Sequence, residues 1–273
     1  MEEREVFALG LGLSEPWELS GQRLDIEKRP HELHLEVVAE RGALFPCPAC
    51  GRACKAHDFT RFTWQHLNFF QHHCFIKARV PRVDCPDHGV KRAVVPWAWP
   101  GSRFTLLFEQ VALVLAREMP VLAAARFIGI TDKRLWRIVE HYVRQAVAGL
   151  DLRGLRVVGL DETASKRGHN YVTVFIDMDR RDKPVIFVVP GKGKACVAAF
   201  REFLLGHGGE PTRVAEFVCD MSPAFLAALA ENFANAAITV DWFHVVQLFT
   251  TAVDQVRKAE RRVGKFPKAT RWA

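Results

Sequence analysis

The sequence predicts an α/β protein, and three observations carry that prediction. Three apolar, β-branched runs, Leu155–Leu160, Val214–Cys219 and Ala237–Val240, each end in an aspartate (Asp161, Asp220, Asp241), and helical sequence follows the last two. Upstream lie two short Cys/His knuckles set in β-rich sequence. Between these regions, two amphipathic helical segments flank Gly129.

With 273 residues, 49% of them hydrophobic, the chain can bury a sizeable core and holds more than one domain. The formal charge of +7 suits a polyanion, either nucleic acid or an anionic membrane surface. The acidic start Met1-Glu2-Glu3-Arg4-Glu5 does not resemble a secretory signal, and no apolar run approaches the roughly 20 residues that span a bilayer. A cytoplasmic protein without a membrane partner is therefore expected. Seven cysteines in a chain without an export signal point to metal ligation before disulfides.

In chain order, His31–Val38 alternates as a strand with one wet face. Cys47-Pro48-Ala49-Cys50-Gly51 and Cys85-Pro86-Asp87-His88-Gly89 each place two ligands two residues apart and follow them with glycine. Together they offer the tetrahedral Cys₃His set that Zn²⁺ prefers, with no open position for catalysis. The glycines permit the turn that brings amides toward the thiolates. Cys54, His57, His72, His73 and Cys74 compete as ligands, but Cys74 and the histidines read as packing or surface residues, because Trp64–Leu67 and Phe75–Val80 look like strands of the same ribbon. A ribbon this small is expected to depend on its metal to fold.

Pro96-Trp97-Ala98-Trp99-Pro100 is a proline-bounded link. Ser102 then reads as the cap of a helix running to about Arg117, followed by a helix over Val121–Phe127, a turn at Gly129, and a second helix capped by Thr131. This is the pattern of a helix-turn-helix whose second helix enters the major groove of double-stranded DNA. Lys133, Arg134 and Arg137 lie on or near its polar side, able to reach phosphates or base edges. A solvated basic face on an ordinary helical hairpin is the bland alternative.

Asp151–Gly154 is a linker. The hairpin Leu155–Ile176 then has its first strand ending at Leu160 and Asp161 at the rim. A carboxylate there is held rigidly yet faces solvent, which fits a divalent-cation ligand or a strand-capping acid. Glu162, its neighbour, should point to the opposite face. A third strand, Pro184–Val189, leads to Gly191-Lys192-Gly193-Lys194, which lacks P-loop spacing and reads as a basic rim. A helix over Ala195–Leu205 crosses back to the strand ending at Asp220.

These residues resemble the DDE-type transposases of bacterial insertion sequences, specifically the ISL-three type. The matching signatures are Leu160-Asp161-Glu162-Thr163 with Lys166–Tyr171, Cys219-Asp220-Met221-Ser222-Pro223-Ala224-Phe225, and Asp241-Trp242-Phe243-His244-Val245. The resemblance implies a ribonuclease H-like mixed-sheet core (151–273, incomplete) preceded by a strand and zinc ribbon (1–100) and a helix-turn-helix (101–150). It also implies Asp161 and Asp220 as catalytic ligands of two Mg²⁺ or Mn²⁺ ions, and Asp241 and His244 as supporting residues, with Asp241 as a plain cap of the helix that starts near Phe243 the alternative. The expected partners are the element's terminal repeats, with the protein a homo-oligomer at the nucleoid.

Relatives carry a third acid, a Glu on a late helix beyond a long insertion, and Glu260 comes too early to match it. A truncated transposase with absent or weak strand cleavage is therefore expected. The alternative is a non-catalytic DNA-binding regulator of transposition. A nuclease acting on RNA or hybrids fits less well, since no RNA-stacking signature stands out.

Overall fold

The computed structural model describes residues 7–264 except 9 and 169. The chain divides into two compact units, Met1–Val143 and Arg144–Ala273. Arg271–Ala273 lie outside the described residues.

The first unit contains strands β1 (Trp17–Asp25), β2 (Glu32–Ala39), β3 (Leu44–Pro46), β4 (Ala53–Phe69), β5 (His72–Cys85) and β6 (Gly89–Arg92). They form one sheet in the order β1-β2-β5-β4-β3, with β6 paired to β5. The pairing of β2 with β5 is parallel, and the other pairs are antiparallel. Along β5, Cys74, Ile76, Ala78 and Val80 are buried at every second position, as a strand with one core face requires. The core is built around Trp17, Trp64 and Trp97, with Trp97 edge-on to both partners at centroid distances of 5.0 and 5.6 Å. β1 carries no sequence signal because only Trp17 and Leu19 of its nine residues are buried.

Three helices follow: α1 (Leu106–Glu118), α2 (Val121–Phe127) and α3 (Asp132–Ala148). The α2–turn–α3 pattern lies where the periodicity puts it, with Gly129 at φ +71° and Thr131 Oγ1 accepting from Arg134 N. The start of α1 differs from expectation. Its cap is Thr105, which accepts from Phe108 N, while Ser102 is buried and hydrogen-bonds Phe104 and Glu109. Phe104, Phe108, Ala112, Ala124, Leu135 and Ile138 form the core of these helices.

The second unit contains β7 (Val157–Lys166), β8 (Asn170–Asp177), β9 (Val185–Pro190), α4 (Lys194–Gly206), β10 (Glu216–Cys219), α5 (Pro223–Asn232), β11 (Ala237–Val240) and α6 (Trp242–Arg262). The sheet order is β11-β10-β7-β8-β9, and only β8 runs against the others. This mixed sheet is the ribonuclease H-like arrangement. On one face Val158, Leu160, Phe175, Phe217 and Cys219 pack with Val197, Phe200 and Leu204 of α4 and with Phe225 and Leu229 of α5. Phe175 stacks on Phe200 at 4.3 Å, which locks α4 across the centre of the sheet.

One boundary is corrected. β7 does not end at Leu160, because its antiparallel ladder with β8 continues through Asp161↔Val174 to Lys166↔Asn170. The polar residues after Leu160 still pair with β8, with one register irregularity between Ala164 and Lys166.

Candidate functional site

The knuckles fold as their spacing requires. Gly51 and Gly89 have φ values of +74° and +63°, turning the chain back after each ligand pair. Gly51 N donates to Cys47 O, and Arg52 and Asp87 tie the two knuckles together at 2.8 Å. Cys47, Cys50, Cys85 and His88 place their donor atoms all within 4.8 Å of one another, the only such group of three or more among the described residues. Cys50 Sγ lies 3.8 Å from Cys85 Sγ, and His88 Nδ1 lies 3.5 Å from Cys85 Sγ and 4.0 Å from Cys47 Sγ. A tetrahedral Zn²⁺ site has S···S edges of about 3.8 Å and S···N edges of about 3.6 Å, given Zn–S of about 2.3 Å and Zn–N of about 2.0–2.1 Å. The set therefore fits zinc in ligand type, and the Cys50–Cys85 and Cys85–His88 distances match these edges. The backbone N–H of Ala49 pulls the Cys47 thiol below its ordinary range, favouring the thiolate that a metal needs.

The competing ligands stay out of this set. Cys54 Sγ turns to Arg52 O, and burial pushes the Cys74 thiol up to about 12.

In the second unit the three aspartates fall into one row. β10 pairs with β7 as Phe217↔Val158 and Val218↔Gly159, so continuing that register by two residues sets Asp220 level with Asp161. β10 pairs with β11 as Cys219↔Val240, so the next residues, Asp220 and Asp241, are also level; Asp241 N donates to Cys219 O at 2.8 Å. Level residues on parallel strands share a face. That face is opposite the one carrying Leu160 and Cys219 into the core. Asp161 thus lies where the parallel ladder ends, although its own strand continues.

Each of these carboxylates accepts one downstream amide: Asp161 Oδ1 from Glu162 N at 2.7 Å, Asp220 Oδ1 from Ser222 N at 3.0 Å, and Asp241 Oδ1 from Phe243 N at 3.0 Å. Among the described residues the second oxygens of Asp161 and Asp220 make no hydrogen bond. Asp241 is the N-cap of α6, and His244 Nε2 lies 3.9 Å from its Oδ2. Two hard oxygen donors on adjacent strands suit a Mg²⁺-type cation.

On α3, Leu135 and Ile138 face the core, which sends Lys133, Trp136 and Arg137 to the exposed side. Arg134 sits on the flank, its guanidinium 4.9 Å from the centre of the Phe104 ring. The three cations are thus close together, but only Lys133 and Arg137 share the outermost stripe.

Glu109 was not anticipated. It is fully buried and accepts from Trp99 Nε1, Ser102 Oγ and Tyr142 OH. The signal was available, since an acid at spacing shared with Thr105, Phe108, Ala112 and Leu113 occupies a core-facing position.

Among the described residues no helix is long and apolar enough to cross a membrane. Residues 43–88 match the zinc-finger of the transposases IS204/IS1001/IS1096/IS1165, residues 93–143 the helix-turn-helix domain of transposase family ISL3, and residues 158–272 the ISL3 transposase (DDE) domain. The transposase for insertion sequence element IS1557 of Mycobacterium tuberculosis is 30% identical over 220 residues, 78% of this chain and 48% of that protein. The transposase for IS1001 of Bordetella parapertussis is 27% identical over 237 residues, 83% of this chain and 57% of that protein. The chain thus spans about half the length of these curated relatives. Among solved structures, the HTLV-2 integrase catalytic core domain in complex with magnesium is 15% identical over 44% of this chain and 81% of that chain, with a TM-score of 0.24. With zinc-finger, helix-turn-helix and transposase domains matched in succession, the chain belongs to the ISL3 family of insertion-sequence transposases.

Proposed function

We propose that this chain recognises the terminal-repeat DNA of a bacterial insertion sequence and holds two of the carboxylates used for strand cleavage and transfer. The observation that carries the reading is the row of Asp161 and Asp220 on adjacent parallel strands, in a chain that also holds a helix-turn-helix. Lys133 and Arg137 would contact phosphates or base edges, with Arg134 on the flank. Cys47, Cys50, Cys85 and His88 would bind a structural zinc with no catalytic role.

Asp161 and Asp220 would hold Mg²⁺ or Mn²⁺, which when bound activates the attacking oxygen and stabilises the leaving one. Their single amide bonds fix each carboxylate and leave an oxygen free to ligate. Asp241 would orient α6 and, through it, His244, which positions substrate from the same rim. Among the described residues no three carboxylates bring their oxygens all within 4.8 Å of one another. We therefore propose that cleavage by this chain is weak, because an incomplete shell forfeits electrostatic stabilisation of the transition state. A soluble, cytoplasmic homo-oligomer at the nucleoid is proposed, since an element has two ends to be held.

The test is a Mg²⁺-dependent cleavage assay on DNA carrying the host element's terminal repeats, beside a binding assay on the same DNA in Ca²⁺. Binding with little cleavage is expected, with residual cleavage abolished in Asp161→Ala and Asp220→Ala. Cleavage undiminished in both variants, or no preference for the repeats, would overturn the reading. Binding with no cleavage at all, even at high Mn²⁺, would favour a DNA-binding regulator of transposition.

A further inference from the structure

We propose that the DNA-binding surface does not end at α3: a cationic track formed by Lys91, Arg92 and Arg103 carries the duplex backbone from the helix-turn-helix onto the edge of the zinc-ribbon sheet. The inference rests on the helix-turn-helix reading and extends it to residues that the sequence did not single out. Two depressions of about 360 and 190 Å³ adjoin, sharing Trp99, Gly101, Ser102 and Arg103 in their walls. The first is lined on its ribbon side by Lys91 and Arg92, the second on its helix side by Arg134 and Arg137. Five cations therefore follow one another along a single concave path. The only acid in either lining is Glu109, whose carboxylate is buried and satisfied by three donors.

The cations are exposed and have no acid of their own. Among the described residues none of the five lies within ion-pair distance of a carboxylate, whereas Arg52, Arg82, Arg153, Arg180, Arg213 and Arg257 each do. Arg92 stands directly opposite Arg82 across the β5–β6 pair, a like-charge placement that disfavours the sheet. Arg82 is neutralised by Asp58, and Arg92 is not.

The guanidinium groups are also held in place. Arg92 and Arg103 both stack on Phe62, at 4.7 and 5.8 Å from its centroid, as Arg134 does on Phe104. Stacking fixes a planar fork without consuming its N–H donors, which leaves them for phosphate oxygens. The backbone under Arg103 is fixed too: Gln65 N donates to Arg103 O, and Phe104 forms a parallel bridge to Gln65 of β4. A row of fixed, unneutralised guanidiniums continuous with a helix-turn-helix matches the sugar–phosphate backbone of duplex DNA, which is read through charge without regard to sequence.

The test uses the zinc-loaded full chain and a fluorescein-labelled random-sequence duplex, with anisotropy read over about 50–200 mM salt. Each lost phosphate contact lowers the slope of log K against log salt by about 0.9. Arg92→Gln with Arg103→Gln should therefore flatten it by about 1.8, an affinity less salt-sensitive by about 12-fold over that range. Arg92→Lys with Arg103→Lys keeps the charge and should keep the slope, which a purely structural role through Phe62 would not.

An unchanged slope in a glutamine variant of normal zinc content overturns the proposal. If that variant loses zinc, the lysine pair decides, a lost slope there being equally adverse. Lys133→Ala with Arg137→Ala separates the two readings. Weakened binding there but not in the glutamine pair leaves the helix-turn-helix reading standing and removes the track. The reverse pattern keeps the track as the DNA site and removes α3. No binding by the parent chain refutes both.

Discussion

Replacing Glu109 should destabilise the first unit more than any exposed change in it. Trp99 Nε1 lies 2.9 and 2.7 Å from the two carboxylate oxygens, Ser102 Oγ 2.6 Å from one and Tyr142 OH 2.8 Å from the other. These donors come from the link after the ribbon and from α3, so one side chain on α1 joins three segments. No lysine or arginine pairs with it among the described residues, and its carboxyl oxygens are satisfied by hydrogen bonds alone. Burial, then the bond to Glu109, pushes the Tyr142 phenol well above its ordinary range, so it remains a donor at neutral pH.

Glu109→Ala leaves Trp99 Nε1 and Tyr142 OH without an acceptor, each at about 1–3 kcal/mol, while Ser102 Oγ can turn to Phe104 O. Trp99 and Tyr142 are half-buried and recover part of that from water, which brings the expected loss to about 3–5 kcal/mol with the vacated volume included. Glu109→Gln keeps the shape and one acceptor oxygen, and should lose about 1–2 kcal/mol. Tyr142→Phe should lose about 1 kcal/mol, and the double-mutant cycle with Glu109→Gln should show coupling of at least about 0.5 kcal/mol. Urea denaturation followed by tryptophan fluorescence reads these differences directly, because Trp99 is one of the donors. A loss below about 1 kcal/mol for Glu109→Ala would refute the reasoning, since it would mean that Trp99 and Tyr142 find water or other partners at no net cost.

Chelation, or Cys50→Ser, should remove one zinc per chain and open the knuckles, while the tryptophan-centred sheet core retains its near-ultraviolet signal; complete unfolding of the first unit on chelation would contradict this. The pH response of that unit has a defined sign. Burial lowers the basicity of His34, with Lys77 adding to it, and burial alone lowers that of His66, both from an ordinary value of 6.5. The unfolded chain therefore binds those protons more readily, and their contribution to stability is fully present above about pH 6.5 and lost as pH falls below it. Comparing urea midpoints at pH 7.5 and 5.5, His34→Phe with His66→Gln should shrink the difference that the parent chain shows. An equal or larger difference in the variant would show that other groups dominate.

The ribbon was legible in part. The knuckle spacing disclosed the ligands, since two residues between donors is a local constraint that glycine turns can satisfy anywhere. It led to the expectation of a small ribbon held by its metal. In the structure Cys47 and Cys85 lie in the same core as Trp17, Leu35, Ile76 and Trp97, so the metal site is one corner of a larger sheet. That sheet depends on β1, which buries too few residues to show a periodicity, and on the parallel β2–β5 pairing, a contact between segments far apart in the chain that no local pattern reports.

The helix pair around Gly129 was legible for the same reason as the knuckles: caps, turns and 3.6-residue periodicity act over a few residues. The direction of each cation was not, because packing of Phe104 against Arg134 depends on a bridge from the link to β4. Glu109 could be seen as an acid on an apolar face, but its partners at Trp99 and Tyr142 are brought together by tertiary packing alone.

By itself the sequence determined Asp220 and Asp241 at the ends of their strands, the ligand spacing and the helix pair around Gly129, all of them short-range steric and hydrogen-bonding rules. Only the tertiary structure decided that Asp161, Asp220 and Asp241 stand level and that Arg92, Arg103, Arg134 and Arg137 line one path. Both are matters of strand register and packing, which are fixed by the burial of Val158, Phe217, Trp64 and Phe104 rather than by the polar residues that those arrangements display.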